Sequence, residues 1–135
     1  MAVELEDKDP RLANYLKILK LFAKKSIDYD YIDKCGRTGF HFAAAAGNLT
    51  GLMFTMKHIE YTSKLYNNQA KFFEIMPRKL VLQRSFGGIT PLMKAAEANN
   101  YECVQFLLNM GADINMIDNF DRKARNYADR DRLHK

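Results

Sequence analysis

Three histidines and two cysteines are the residues of this chain whose types most readily support chemistry. The histidines are His41, His58 and His134, and the cysteines are Cys35 and Cys103. Zinc sites and catalytic bases draw on these residue types, but both need partners at defined spacing. No His-x-x-x-His or Cys-x-x-Cys motif occurs, and neither His58 nor His134 has a Cys or carboxylate at ligand spacing. The sequence therefore predicts no metal site, no cofactor and no catalytic residue, which means that the chain is not an enzyme.

A pair of adjacent glycines is the other feature that could bind a ligand. Gly87 and Gly88 are followed by Thr90, which suggests a phosphate loop. A phosphate loop needs G-x-x-x-x-G-K-[ST] or G-x-G-x-x-G, and neither motif is present. We therefore expect these glycines to form a turn.

The cysteine pattern bears on the compartment. Cys35 and Cys103 are far apart in the sequence and fit neither a disulfide framework nor a zinc site. Unpaired thiols are typical of reducing compartments, so we expect an intracellular protein, either cytoplasmic or part of an organellar assembly. We expect Cys35 to be exposed and Cys103 to behave as a small buried hydrophobe.

Two stretches of the chain share one pattern. Residues 33–59 (DKCGRTGFHFAAAAGNLTGLMFTMKHI) and 85–114 (SFGGITPLMKAAEANNYECVQFLLNMGADI) align when Thr38 is placed on Thr90. That alignment also matches Gly36 with Gly88 and one Ala-Ala pair with another. A step of 33 residues forward from Thr90 reaches Lys123, in a third copy of the pattern's first part. Repeats at a fixed period indicate a solenoid built from stacked units.

The pattern resembles the ankyrin repeat, most closely in the second copy. That copy contains Thr90-Pro91-Leu92, Ala95-Ala96, Leu107-Leu108 and Gly111-Ala112-Asp113-Ile114-Asn115. The resemblance implies an all-α fold, a short ankyrin-repeat solenoid of stacked helix pairs with finger turns. It divides one domain, residues 1–135, into an N-terminal half repeat (1–32), a repeat (33–59), an insertion (60–84), a repeat (85–117) and a C-terminal capping half repeat (118–135).

Individual residues explain where the helices of this pattern begin and end. Thr38 and Thr90 can cap helix N-termini, and Pro91 occupies the first helical position, which tolerates proline. Gly111 supplies a left-handed residue after the second helix. Aspartates at positions 33 and 118 can bond their own backbone in the finger turns. When the repeat pattern is extended back into the first half repeat, it places the following residues on the buried face of a helix: Ile18, Leu19, Phe22 and Ala23.

The interval between the two whole repeats is too long for one period. Thr38 and Thr90 are 52 residues apart, about 19 more than the ankyrin period. We predict a helix continuing past Ile59, a turn at Asn67-Asn68, and a short apolar helix around Phe72, Phe73 and Met76. Pro77 is expected to end that helix, and an extended arm to follow.

The insertion is also basic. Between Lys57 and Arg84 six Lys or Arg residues stand against two Glu residues. This surplus could bind nucleic acid or an anionic membrane surface, although spaced basic residues are often only a solvated face. The candidate binding residues of the insertion are Lys71, Phe72, Phe73, Arg78 and Lys79.

The resemblance implies a non-catalytic protein-protein interaction module, an adaptor or accessory subunit of a larger assembly. Ankyrin proteins commonly bind partners through the finger tips and the outward positions of the inner helices. Aromatic and Arg residues at such positions are the usual anchors of interfaces. Phe42, Phe86 and Phe120 could instead pack under the insertion or against one another. The candidate partner-binding residues are Lys34, Arg37, Phe42, Phe86, Lys94, Glu97, Phe120, Arg122 and Tyr127.

Two further residues are singled out by the resemblance. His41 lies where the family's histidine bonds backbone and ties neighbouring repeats together. Asn115 occupies a loop position that resembles the asparagine hydroxylated in many ankyrin proteins, so it is a possible modification site, or it simply satisfies the loop. The apolar helix from Leu12 to Phe22 has no visible first helix before it, since Pro10 interrupts that position. We expect a partner protein to cover this face or the insertion.

Overall fold

The computed structural model describes residues 13, 14, 17, 18, 21, 31–65 and 70–129, without the side chains of 61–65 and 70–74. The five described residues before Tyr31 are helical. Within the continuous described ranges every regular element is a helix, which confirms the all-α prediction. These helices are α1 (Gly39–Ala45), α2 (Leu49–Leu65), α3 (Ala70–Leu82), α4 (Pro91–Glu97), α5 (Tyr101–Asn109) and α6 (Ala124–Ala128).

The helices stack in two layers, as the repeat pattern predicts. In the inner layer α4 packs between α1 and α6. In the outer layer α5 packs on α2, and each outer helix also packs on its own inner helix. The inner layer therefore brings the starts of three successive units side by side.

Two of the inner helices, α1 and α4, begin after the predicted threonines. At α4 the Thr90 hydroxyl accepts from the Met93 amide at 3.3 Å, and Pro91 follows as the first helical residue. At α1 the amide of Thr38 donates to Nδ1 of His41 at 3.1 Å. These bonds satisfy backbone groups that a helix end leaves unpaired, and such a cap is typically worth about 1 kcal/mol.

Asparagine caps the outer helices at matching positions. Asn48 Oδ1 accepts from the Gly51 amide at 2.9 Å, and Asn100 Oδ1 accepts from the Cys103 amide at 2.8 Å. The Asn100 side chain also donates to the carbonyl of Gly47 at 3.3 Å, which joins the two repeats. These caps were not predicted, although both asparagines occupy the same position of the repeat.

The core lies between the two layers. Phe40, Leu52, Leu92 and Leu107 are at most 2% exposed, and Cys103 is fully buried as predicted. Small residues of the inner helices, such as Ala44 and Ala95, are also fully buried, which allows the helices to approach closely. Leu108, the second leucine of the Leu107-Leu108 pair in the repeat pattern, is different, because 40% of its surface is exposed.

Gly111 ends the outer helix of the second repeat as predicted. Its φ is +100°, a left-handed conformation that costs glycine little and other residues more.

The insertion is more helical than the sequence suggests. The continuation of α2 past Ile59 to Leu65 is confirmed. The break at Pro77 and the extended arm are wrong, because α3 runs through Pro77 to Leu82. Met76, Leu80 and Val81 of α3 are 3%, 0% and 1% exposed. Burying three such side chains is worth about 1.5–3 kcal/mol each, more than the roughly 3 kcal/mol that an interior proline costs.

The first half repeat is less buried than predicted. Ile18 keeps 37% of its surface exposed and Leu21 keeps 63%, so burial of Ile18 in the core is wrong. An amphipathic helix buries only one stripe of its surface, so a residue at the edge of that stripe remains partly open. Leu19, Phe22 and Ala23 lie outside the described residues. None of the helices described combines the length and apolar character needed to span a bilayer.

Candidate functional site

Three finger turns line one edge of the stack and begin at Asp33, Ser85 and Asp118. In each finger the first amide donates to the carbonyl four residues later, over 3.0, 2.8 and 2.9 Å respectively. The same amide-to-carbonyl bond closes all three turns. The fingers therefore share one conformation although their sequences differ.

The third finger is fixed by Asp118, whose side chain is fully buried. One carboxylate oxygen accepts from the amides of Phe120 and Arg122, and the other accepts from Arg122 Nε at 2.7 Å and from the Tyr127 hydroxyl. Burial by itself would raise the pKa of Asp118, but the bonds from Tyr127, Arg122 and Phe120 outweigh it and hold the pKa well below its usual range. Burial, followed by the bond to Asp118, raises the pKa of Tyr127 to about 12.

The first finger has a similar but more open arrangement. Asp33 accepts from the amides of Cys35 and Arg37 and pairs with the Arg37 guanidinium at 2.8 Å. The side-chain bond from Arg37 is the main cause that lowers the Asp33 pKa to about 2. Both predicted aspartate turns are therefore confirmed.

The second finger has serine in place of aspartate and is supported from the neighbouring unit. Arg84 donates through Nη2 to the carbonyl of Ile117 at 2.8 Å, and its Nε lies 3.4 Å from the carbonyl of Gly88. This role of Arg84 was not predicted from the sequence, where the residue is only one of the six basic residues between Lys57 and Arg84. Its position just before a finger that lacks the aspartate was the available signal.

Neighbouring fingers are joined by backbone hydrogen bonds. The amide of Phe86 donates to the carbonyl of Cys35, and the amide of Asn119 donates to the carbonyl of Gly87, both over 2.9 Å. The Asn119 side chain also donates to the carbonyl of Phe86 at 2.9 Å. The three fingers thus form one connected surface.

The three predicted aromatic anchors are exposed on or beside the fingers. Phe42, Phe86 and Phe120 are 51%, 67% and 74% exposed. These values show that the rings are not buried under the insertion or against one another. Arg37 lies 4.8 Å from the Phe42 ring centroid, and Arg122 lies 5.0 Å from that of Phe120. The two guanidinium groups are therefore fixed by an aspartate and by an aromatic face at the same time.

The candidate partner-binding residues on the inner helices differ in how exposed they are. Lys94 and Glu97 form an ion pair at 3.8 Å and remain partly exposed on α4. Tyr127 was predicted to face a partner, but it is only 3% exposed, so this assignment is wrong. Its ring lies beneath Arg122 at 5.1 Å, and its hydroxyl bonds Asp118, which turns the side chain into the repeat.

His41 ties the two whole repeats together, as the resemblance implied. Its Nε2 lies 2.8 Å from the carbonyl of Ile89, while Nδ1 accepts from Thr38. A carbonyl can only accept, so Nε2 carries the proton. Burial lowers the pKa of His41, and burial also lowers that of His58, which lies in α2. Both rings are therefore favoured in the neutral form.

The remaining sequence candidates are dispersed. Arg78 and Lys79 are exposed on α3, whereas the side chains of Lys71, Phe72 and Phe73 lie outside the described residues. Lys34 is exposed on the first finger, as is Cys35, while burial raises the pKa of the Cys103 thiol. Asn115 is exposed, and its amide donates to Asp113 Oδ1 at 2.8 Å. In the part of the chain that can be described, no three His, Cys, Asp or Glu side chains are grouped to hold a metal ion.

Comparison with known proteins agrees with this architecture. A family model for ankyrin repeats, in three copies, matches residues 11–118. The chain belongs to the ankyrin-repeat family. Ankyrin repeats are protein-protein interaction modules and are typically non-catalytic, and their stacking creates extended binding surfaces. The interaction-module prediction is therefore confirmed at this level.

One curated relative is similar to most of this chain. "Probable E3 ubiquitin-protein ligase XBOS32" from Oryza sativa subsp. japonica is 30% identical over an alignment of 110 residues. The alignment covers 73% of this chain and 22% of that protein. The chain thus spans about a fifth of the relative's length.

Proposed function

We propose that this ankyrin-repeat chain is an adaptor or accessory subunit that binds another protein through its connected fingers. The observation that carries the proposal is the exposure of Phe42, Phe86 and Phe120, each by half or more of its surface. Aromatic rings with adjacent Arg groups are the side chains that contribute most to protein interfaces. A protein partner is favoured over nucleic acid because the fingers combine apolar rings with guanidinium groups that aspartates already neutralise.

The rigidity of the fingers supports this function. Cross-finger backbone bonds fix the backbone at Phe86 and next to Phe120 before a partner arrives. The ion pairs of Arg37 and Arg122 do the same for the guanidinium groups. A surface that is already ordered loses less conformational entropy on binding, which raises affinity.

We assign the protein to a reducing intracellular compartment, the cytoplasm or an organelle. The exposed thiol of Cys35 and the buried thiol of Cys103 are compatible with such a location. The presence of a similar segment in a much longer protein fits a module that works within a larger protein or assembly.

The test is capture of the partner from the native cell followed by mass spectrometry. Wild type is compared with the triple variant F42A/F86A/F120A and with Ile75→Ala, a control that removes a 55% exposed side chain from α3. The triple variant should fold like wild type and lose the partner. With the purified partner, each single Phe→Ala should cost about 1–2 kcal/mol, roughly 5- to 30-fold in affinity.

Ionic strength separates this proposal from binding by the basic insertion. Docking on aromatic rings should weaken only slightly as salt increases, whereas binding to phosphates falls steeply. The proposal would be overturned if Arg78→Glu removed the partner while the triple variant kept it. A steep salt dependence together with that result would assign function to the insertion instead.

A further inference from the structure

A groove of 430 Å³ opens on the second repeat beside α5 and α6. Its apolar lining comes from α4, α5 and α6 and from Ile114 in the loop after α5, and polar side chains stand among these residues. Phe42, Phe86 and Phe120 do not contribute to it. The groove is therefore separate from the finger surface. It is lined by Leu92, Ala96, Val104, Leu108, Ala124 and Ala128, among others.

The shape of the groove follows from the repeat. At the corresponding place in the first repeat, Leu52 and Met56 of α2 are 0% and 6% exposed, and α5 packs on that helix. Their counterparts in α5 are Val104, which is only partly buried, and Leu108, which is 40% exposed. The groove thus presents the apolar positions that, one repeat earlier, pack against an outer helix.

The spacing of the buried residues of α5 shows which kind of helix such a surface binds. Its buried residues, Cys103, Phe106 and Leu107, follow the spacing i, i+3, i+4 that gives one apolar stripe on a helix. A helix lying in the groove would need the same stripe to cover Val104 and Leu108. Recognition of an amphipathic helix in an apolar groove is a recurring mode of protein binding.

The charges at the groove determine which charge a bound helix should carry. Its described lining contains Lys123, Arg125 and three asparagines, at positions 99, 100 and 115, and no acidic residue. Arg125 is exposed on α6 and Lys123 is partly exposed. Complementary charge favours a helix that carries Glu or Asp beside its apolar stripe and disfavours a basic one.

We propose that this groove is a second binding site, which takes an amphipathic helix of a partner protein with acidic residues flanking an i, i+3, i+4 apolar stripe. Bound in this way, the helix lies beside α5 as α5 itself lies beside α2. The site is independent of the finger surface, so either proposal can fail without the other.

The test uses a synthetic peptide and the full chain. The peptide copies α5, Tyr101–Asn109, with Cys103→Ala and with glutamates added at both ends. A side-chain crosslink holds it helical, since short isolated helices are marginal in water. Fluorescence anisotropy should show saturable binding to wild type. Leu108→Glu should weaken binding at least about tenfold. Ile75→Glu, which places the same charge at an exposed position of α3, should leave it unchanged.

Charge reversal and the finger variant complete the test. Arg125→Glu should weaken the glutamate-flanked peptide and strengthen a lysine-flanked one, and F42A/F86A/F120A should bind both as wild type does. The proposal is overturned by no binding to wild type, by equal effects of Leu108→Glu and Ile75→Glu, or by preference of wild type for the lysine-flanked peptide. It is also overturned if sedimentation shows a dimer that Leu108→Glu dissociates, because a second copy would then occupy the groove.

Discussion

Asp118 and Asp33 occupy the same position in two fingers but differ in what surrounds them. Both accept two backbone amides and an Arg side chain. Asp118 alone of the two also accepts from a tyrosine hydroxyl, and its side chain is 0% exposed against 26% for Asp33. Water screens charge interactions less at a buried group. Asp118 therefore links the third finger to α6, whereas Asp33 mainly shapes its own turn.

Replacing Asp118 tests this link. Asp118→Asn keeps the size of the side chain but removes the charge that faces Arg122 and an acceptor for Tyr127. We expect a loss of about 2–3 kcal/mol in the free energy of unfolding, measured by urea denaturation. The matched variant Asp33→Asn should lose less, because that carboxylate is partly exposed. Equal losses would show that Asp118 does no more than close its turn.

The pH dependence of stability follows from the same group. The folded-state pKa of Asp118 lies below its unfolded value of about 3.9, so its contribution is present above pH 4 and is lost as the pH falls below it. Asp33 adds to the loss as the pH falls towards 2. Urea denaturation from pH 7 to pH 2 should show wild type losing stability below pH 4 and Asp118→Asn losing less. The assignment would be contradicted if the free energy of unfolding fell equally with pH in wild type and in Asp118→Asn.

Tyr127 shows where prediction from the repeat pattern fails. The repeat frame places Tyr127 at the same position as Phe42 and Lys94, which face outwards at least in part. The position of a residue in the repeat predicts the direction in which its side chain leaves the backbone. The conformation of a long side chain also depends on its hydrogen-bond partners. Tyr127 is buried because its hydroxyl bonds Asp118, and the position in the repeat does not predict that bond.

Among the elements, α3 departs most from its local sequence. Pro77 predicts a break, but the helix continues because its apolar residues pack against α2 and α4. Helix propensity depends only on the residue type, so it does not include the packing of α3 against the neighbouring helices. By contrast, the starts of α1 and α4 and the end of α5 were predictable, since Thr38, Thr90 and Gly111 act within one or two turns of their own positions.

Substitution of Pro77 tests the continuity of α3. Pro77→Ala should restore an amide inside the helix and remove the clash of the ring with the preceding turn. Part of this gain is offset because alanine makes the unfolded chain more flexible. We expect a net stabilisation of about 1–2 kcal/mol, visible as a higher midpoint of thermal unfolding. A lower midpoint would mean that residues 70–82 do not form one helix.

In the whole molecule, stability should depend on position in the stack. The inner helix α4 packs on α1, α5 and α6, whereas α6 lies at the end of the described inner layer. In repeat proteins each unit is stabilised by its immediate neighbours, so a helix with neighbours on both sides opens least often.

Amide hydrogen exchange can measure this gradient. We expect the slowest exchange in α4, which has neighbours on both sides, and faster exchange in α6 and in the half of α2 beyond Ile59. Exchange at the same rate in all three places would show that the described stack opens only as a single unit.

The candidate surfaces differ in how far sequence could predict them. The finger rings were predictable because the ankyrin frame assigns Phe42, Phe86 and Phe120 to outward positions, and all three are exposed. The groove was not predicted. Leu108 matches the family pattern as a core residue, and its exposure depends on what packs beside the second repeat.

The bonds that join the fingers have a consequence for protein engineering. Cys35 and Phe86 are 51 positions apart, and Gly87 and Asn119 are 32 apart, yet both backbone bonds measure 2.9 Å. The additional chain between the first two repeats has therefore left the finger spacing unaltered. A designer could therefore change the length of the chain between these two repeats and expect the fingers to keep their present distances from one another.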